Sequence, residues 1–150
     1  MNAGDIAPDF ELPDETGTRR TLREFLSRGP VVLFFYPAAM TMGCTAECRH
    51  FRDLASEFAE AGAHRVGISR DGVAKQRRFS DQNAFDFPLL SDEGGAVARS
   101  FDVHRSFGLA PIKRTTFVIG RDRRVIDVIR SELNMRVHAD RALEALRRRA

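Results

Sequence analysis

Apolar and polar positions group along the chain with periods that mark out strands and helices. Residues 9–12, Asp-Phe-Glu-Leu, alternate polar and apolar and predict a short strand. Asp14 and Gly17 bracket a turn. Thr21 with Glu24 three residues on has the capping-box spacing, and Leu22, Phe25 and Leu26 give the short helix behind it an apolar face. Residues 31–36, Val-Val-Leu-Phe-Phe-Tyr, are an unbroken run of strand formers, as in a central strand buried on both faces. Pro37 ends the run. A loop to Gly43 and a helix over about 44–61 follow, and Gly62 stops that helix. A second buried strand is expected over 64–69, a helix over 73–83, a short strand over 87–90 and a helix over 93–101. Residues 114–119 and 124–129 read as a hairpin around a turn at 120–123. A final amphipathic helix over 140–149 turns Leu143 and Leu146 inward.

Strand and helix alternate through the middle and a hairpin lies near the end. That order predicts an α/β mixed sheet with helices on both faces. No repeat, low-complexity stretch or linker interrupts it, so residues 1–150 are expected to form one domain. At 43% hydrophobic and 30% charged residues, the composition is that of an ordinary globular chain.

Charge narrows the function classes further. The 24 basic and 21 acidic residues are interleaved, and the longest basic run is the triplet Arg147-Arg148-Arg149. That pattern reads as a solvated surface, not a nucleic-acid footprint. The first eleven residues carry Asp5 and Asp9 and no apolar core, so no secretory leader is expected. The longest apolar run, 31–36, is too short to span a bilayer. A cytoplasmic protein without membrane or nucleic-acid partners is the expectation.

Only two cysteines occur, Cys44 and Cys48. Cys44 stands where a buried strand has ended and a helix begins. A thiol in a first helical turn sits among unpaired N–H groups at the positive end of the helix dipole, and both favour the thiolate, the nucleophilic form. Gly43 lets a substrate approach the backbone closely. The Thr41 hydroxyl can donate and accept. Pro37 leaves no N–H to satisfy.

Pro37, Thr41 and Cys44 together resemble the peroxiredoxin signature of proline, three residues, threonine, two residues, cysteine. The flanking Phe35-Tyr36-Pro37 and Gly43-Cys44-Thr45 with Glu47 are similar to the bacterioferritin-comigratory, or Q-type, branch. So are Gly4-Asp5, Ala7-Pro8-Asp9-Phe10 and Leu12, Ile68-Ser69 with Asp71, residues 87–92 and residues 114–119. The resemblance covers about residues 4–130. It implies a thioredoxin-like fold with an added N-terminal hairpin, and a thiol peroxidase acting on hydrogen peroxide and organic hydroperoxides through a sulfenic acid. Cys44 would be the peroxidatic cysteine, Arg114 the active-site arginine, Thr41 the residue that hydrogen-bonds the peroxide and Pro37 the shield of the pocket. Gly43 and Cys44 would add backbone N–H groups. No metal or organic cofactor is required. A thioredoxin-type protein or a small thiol would be the reductant, and the chain would act as a monomer or homodimer.

Two positions depart from the branch. Met42 stands where proline is common, which predicts a looser loop and unchanged chemistry. Many Q-type members have a resolving cysteine five residues after the first; Arg49 occupies that position here, and Cys48 lies four residues on. Cys48 has two readings. It is a resolving cysteine if the first turns of the helix unwind, or a core residue on the stripe Cys44, Cys48, Phe51, Ala55 and Phe58. Glu47 likewise either orients an arginine or faces solvent. The competing functions are a non-enzymatic redox sensor and a thiol–disulfide reductase, although the latter chemistry favours two intervening residues between cysteines and three are present.

Overall fold

The computed structural model describes residues 1–105 and 111–149. Thirteen elements are described. The first two strands, β1 (Glu11–Pro13) and β2 (Arg19–Thr21), form an antiparallel hairpin. The expected strand at 9–12 is therefore shifted toward the turn, because Asp14 organises that turn by accepting from the N–H groups of Thr16 and Thr18. Helix α1 (Leu22–Leu26) starts on Thr21, whose hydroxyl accepts from the Glu24 N–H at 3.1 Å. The return bond of a capping box is replaced, since the Glu24 carboxylate accepts from Arg20 instead.

The main sheet has the order β5-β4-β3-β6-β7. Its strands are β3 (Val31–Phe35), β4 (His64–Ser69), β5 (Leu89–Ser91), β6 (Thr115–Ile119) and β7 (Val125–Arg130). β3 pairs parallel with β4 and antiparallel with β6, so the sheet is mixed. Every residue of β3 is buried, as the unbroken apolar run predicts. Its alternate residues feed two cores. Val31, Leu33 and Phe35 face one side, with Phe25 of α1 and Val97 of α5 (Ala96–Ser100). Val32, Phe34 and Tyr36 face the other side, with α2 (Met42–Asp53), α3 (Ala55–Glu60), α4 (Val73–Asn83) and α6 (Val137–Arg149).

Three helices depart from the sequence reading. The single helix expected over 44–61 is two, because Leu54 leaves helical geometry (φ −98°, ψ 22°). Gly62 still ends the second at φ 69°, the left-handed conformation that glycine adopts freely. The helix expected over 93–101 is only α5, since Gly95 at its N-cap is left-handed and its N–H donates to the Asp92 carbonyl. The last helix begins at Val137, three residues before the expected start. The Asn134 side chain accepts from the Val137 N–H there. Among the described residues, no helix is long and apolar enough to cross a membrane.

The order places a site without further devices. β3 runs up to Phe35, and β6, being antiparallel, begins opposite it, Thr115 pairing with Phe35. The segment after β3 and the residue before β6 therefore meet at one edge of the sheet.

Candidate active site

After β3 the chain must turn from sheet to helix within a few residues. Tyr36 stays fully buried, its hydroxyl donating to Gln76 Oε1 at 2.6 Å. Gln76 donates in turn to Ser69 Oγ and the Leu90 carbonyl. This polar network backs the loop from below. Asp71 holds the loop itself, accepting from the Ala39 N–H at 2.7 Å and from the Ser69 hydroxyl at 2.6 Å. Against burial, which acts the other way, these bonds and Lys75 keep the Asp71 carboxyl below its usual range. Met40 takes φ 67°, a costly conformation for a side-chain-bearing residue.

Helix α2 begins at Met42, so Gly43 and Cys44 are its second and third residues. The first intrahelical bond runs from Thr45 N to the Thr41 carbonyl. The N–H groups of Met42, Gly43 and Cys44 precede that ladder. Thr41 makes no side-chain cap. Its exposed hydroxyl donates to the Ala38 carbonyl at 2.8 Å, leaving its lone pairs for an acceptor role. Pro37, half-buried, lies at the strand exit.

Arg114 reaches this helix start from across the sheet. Its Nη2 donates to Cys44 Sγ at 3.3 Å, and its Nη1 donates to Glu47 Oε1 at 2.7 Å. Cys44 is 1% exposed, Arg114 7% and Glu47 0%. Each partner of the guanidinium favours its charged form, and together they hold its pKa above the ordinary value despite burial. The structure thus brings Cys44, Gly43 and Arg114 together. Thr41 and Pro37 flank them in the same loop, with the Thr41 hydroxyl engaged by Ala38. Cys48 lies one turn further on, fully buried in the core with Phe34 and Phe51. Burial, reinforced by the charges of Glu47 and Cys44, raises its thiol well above the ordinary value. Both cysteines are free thiols.

Glu47 settles one of the sequence alternatives: it does not face solvent. It is buried against the guanidinium, and burial pushes its carboxyl up to about 7 while Arg114 pulls the other way. Its place three residues after Cys44 puts it on the same helical face, a signal present in the sequence. The other residues here carried little signal. Glu132 accepts from the Arg114 backbone N–H at 3.2 Å and pairs with Arg105 at 3.0 Å. Met135 packs over Gly43, its sulfur 3.5 Å from where a Cβ would sit, beside Arg114 Nη2 at 3.4 Å. A Cβ at position 43 would thus sit in ordinary van der Waals contact with both. His138 is fully buried with its Nδ1 at 3.6 Å from Glu47 Oε2. It stands on the apolar stripe of Ala142 and Ala145, and a polar ring in such a stripe was the only hint of a role.

Chemically, the arrangement is a cysteine beside a cation, in the first turn of a helix, with a small neighbour. The chain is similar to known proteins along most of its length. The AhpC/TSA family model matches residues 3–128. The crystal structure of peroxidoxin BcpB from Mycobacterium tuberculosis is 61% identical, superimposes with a TM-score of 0.95, and covers 99% of this chain and 97% of its own. Peroxiredoxin Bcp of Escherichia coli strain K12 is 39% identical over 130 residues, 83% of each chain. A Xanthomonas campestris bacterioferritin comigratory protein, described for its alkyl peroxide reduction activity, is 36% identical with a TM-score of 0.85, over 93% of this chain and 91% of its own.

Proposed function

The chain belongs to the AhpC/TSA family, in its peroxiredoxin Q branch, and is a thiol peroxidase; from that premise we propose that Cys44 is the attacking thiol and that Arg114, Thr41, Gly43 and Pro37 form its site. Family membership implies a hydroperoxide substrate and a thioredoxin-type reductant. The carrying observation is the hydrogen bond from Arg114 Nη2 to Cys44 Sγ at 3.3 Å, at the start of α2.

The thiolate attacks the terminal oxygen of the hydroperoxide. An S–O bond forms, the O–O bond breaks, and the departing oxygen takes from solvent the equivalent of the proton released when the thiol ionised and leaves as water or an alcohol. Cys44 is left as a sulfenic acid. Charge moves from sulfur to the departing oxygen. A guanidinium and backbone N–H groups fixed around that path stabilise it without reorganising, which is where most of the rate arises. Arg114 suits the task because it stays charged and its planar fork holds sulfur and the Glu47 carboxylate at once. The Thr41 hydroxyl accepts from the peroxide O–H. Pro37 shields the pocket and offers no competing N–H.

Cys48, fully buried, fits a core role, with reduction by an external thiol, either thioredoxin-type or small. Interleaved charge supports a chain that binds neither nucleic acid nor membranes, and co-sedimentation with DNA or vesicles at physiological salt would contradict that; a cytoplasmic monomer or homodimer is the form we propose for it.

The test is the second-order rate of peroxide consumption by the reduced protein. Cys44→Ser is expected to abolish it. Arg114→Ala is expected to slow it by about 10²–10³-fold, the usual effect of deleting one such donor. A Cys44→Ser variant that consumes peroxide at the natural rate would overturn the assignment.

A further inference from the structure

His138 is enclosed on every side and its two ring nitrogens face different parts of the site. Nε2 lies 2.8 Å from the Ser131 carbonyl, which can only accept, so Nε2 carries the proton. Burial, with the nearby Arg114 charge adding to it, pushes the ring down to about 4, so at neutral pH it is uncharged. Nδ1 is then an acceptor and takes the Thr116 hydroxyl proton at 2.8 Å. The same nitrogen lies 3.6 Å from Glu47 Oε2. That oxygen is buried and has no hydrogen-bond partner, and neither does Arg114 Nε.

The ring thus stands between two bodies. On one side is the Glu47–Arg114 pair that presents a guanidinium to Cys44. On the other is the segment of residues 131–135 that walls the pocket. Ser131 anchors the segment to His138, Glu132 ties it to the Arg114 backbone, and Met135 lies over Gly43. The charged groups near the ring are Glu47 from α2, Arg114 ahead of β6, Glu132 from the wall and Arg141 from its own helix.

Resting on the assignment of Cys44 and Arg114 above, we infer that His138 is a positioning residue of the peroxide site. Its ring, held by Thr116 and Ser131, packs against the free side of the Glu47 carboxylate without a hydrogen bond to it and so bounds the aim of Arg114, while pinning the wall by Ser131. It touches neither substrate nor the reacting sulfur. A side chain held by neither Thr116 nor Ser131 gives the free side of Glu47 no fixed neighbour, and the guanidinium that Glu47 holds at 2.7 Å can then shift with it.

The test is a double-mutant cycle on the rate of Cys44 oxidation by hydrogen peroxide, with His138→Leu and Glu47→Gln alone and combined. A positioning role predicts that His138→Leu slows oxidation about tenfold in the natural chain but less than about twofold once Glu47 is glutamine, because contacting residues couple. His138→Gln should recover most of the rate, since its amide can donate to Ser131 and accept from Thr116. Equal slowing in both backgrounds, no slowing in a folded variant, or no recovery by glutamine would overturn the inference. Where the leucine variant does not fold, His138→Asn, too short to span both partners, replaces it in the same cycle. Cys44→Ser run alongside separates the two levels. Peroxide consumption surviving in that variant refutes the site itself, whereas an additive cycle refutes only the role of His138.

Discussion

Two buried groups of opposite behaviour set the pH response of the site. Glu47 titrates near 7 in the folded chain against an ordinary value of 4.5. Between those values the folded state binds more protons than the unfolded one, so this residue makes stability fall as pH rises. His138 titrates near 4 folded against an ordinary 6.5, so between those values it makes stability rise with pH. Across the shared window, about pH 4.5 to 6.5, the two slopes oppose, each at most about 1.4 kcal/mol per pH unit. Replacing one exposes the other. Glu47→Gln should give urea midpoints that climb from about pH 4.5 to 6.5, and His138→Gln midpoints that drop over the same range, with the natural chain between. Asp14 and Asp71, both held below their usual range, act at lower pH and are common to all three proteins. Parallel profiles in the three would refute the opposing assignment. Helical spacing ties Glu47 to Cys44 but left it facing either an arginine or solvent, whereas nothing local couples residue 138 to residue 47.

At the scale of elements the sequence was most readable where burial is two-sided or periodicity is long. β4 and α4 have the bounds read from the sequence, and β3 lies within its apolar run. Ends and breaks were less readable. Leu54 divides α2 from α3 although the apolar stripe runs on past it to Phe58, so periodicity is preserved across a break that it cannot reveal. The packing of β4 under α2 makes a sharper prediction. Phe34 stacks on Phe51 with ring centroids 4.0 Å apart. Gly67 makes room for it: an added Cβ would sit 2.8 Å from Leu89 Cδ2 and 3.0 Å from Phe34 Cζ. Both neighbours are fully buried, so neither can move aside cheaply. Gly67→Ala should therefore cost about 1–3 kcal/mol by overpacking, in spite of alanine's better strand behaviour. A urea midpoint equal to that of the natural chain would show that the core yields more than this packing allows.

For the whole molecule the decisive fact is which residues the topology carries into one place. Cys44 and Arg114 are 70 residues apart, and their meeting depends on β6 lying antiparallel beside β3 with Thr115 opposite Phe35. Neither strand's own pattern encodes that register, so the arginine was legible only through resemblance to a family. The same topology bears on what happens after oxidation. Spacing alone left Cys48 as either a partner for Cys44 or a core residue. In the fold it lies on the buried face of α2 with 0% exposure, beside Phe51 and Tyr36, its thiol raised far from the thiolate needed for attack. Two cysteines four apart in an intact helix do not point at one another, so a bond between them requires the first turns to unwind. Unwinding would also pull Glu47, which lies between them, off Arg114. Breaking a buried pair of that kind costs about 3–5 kcal/mol. An external thiol needs only access to Cys44. One equivalent of peroxide should therefore add about 16 Da, the sulfenic acid, and leave the amides of α2 as protected from exchange as before. A loss of about 2 Da that disappears in Cys48→Ser, accompanied by faster exchange in α2, would mean instead that the helix melts on oxidation and the chain resolves its own sulfenic acid.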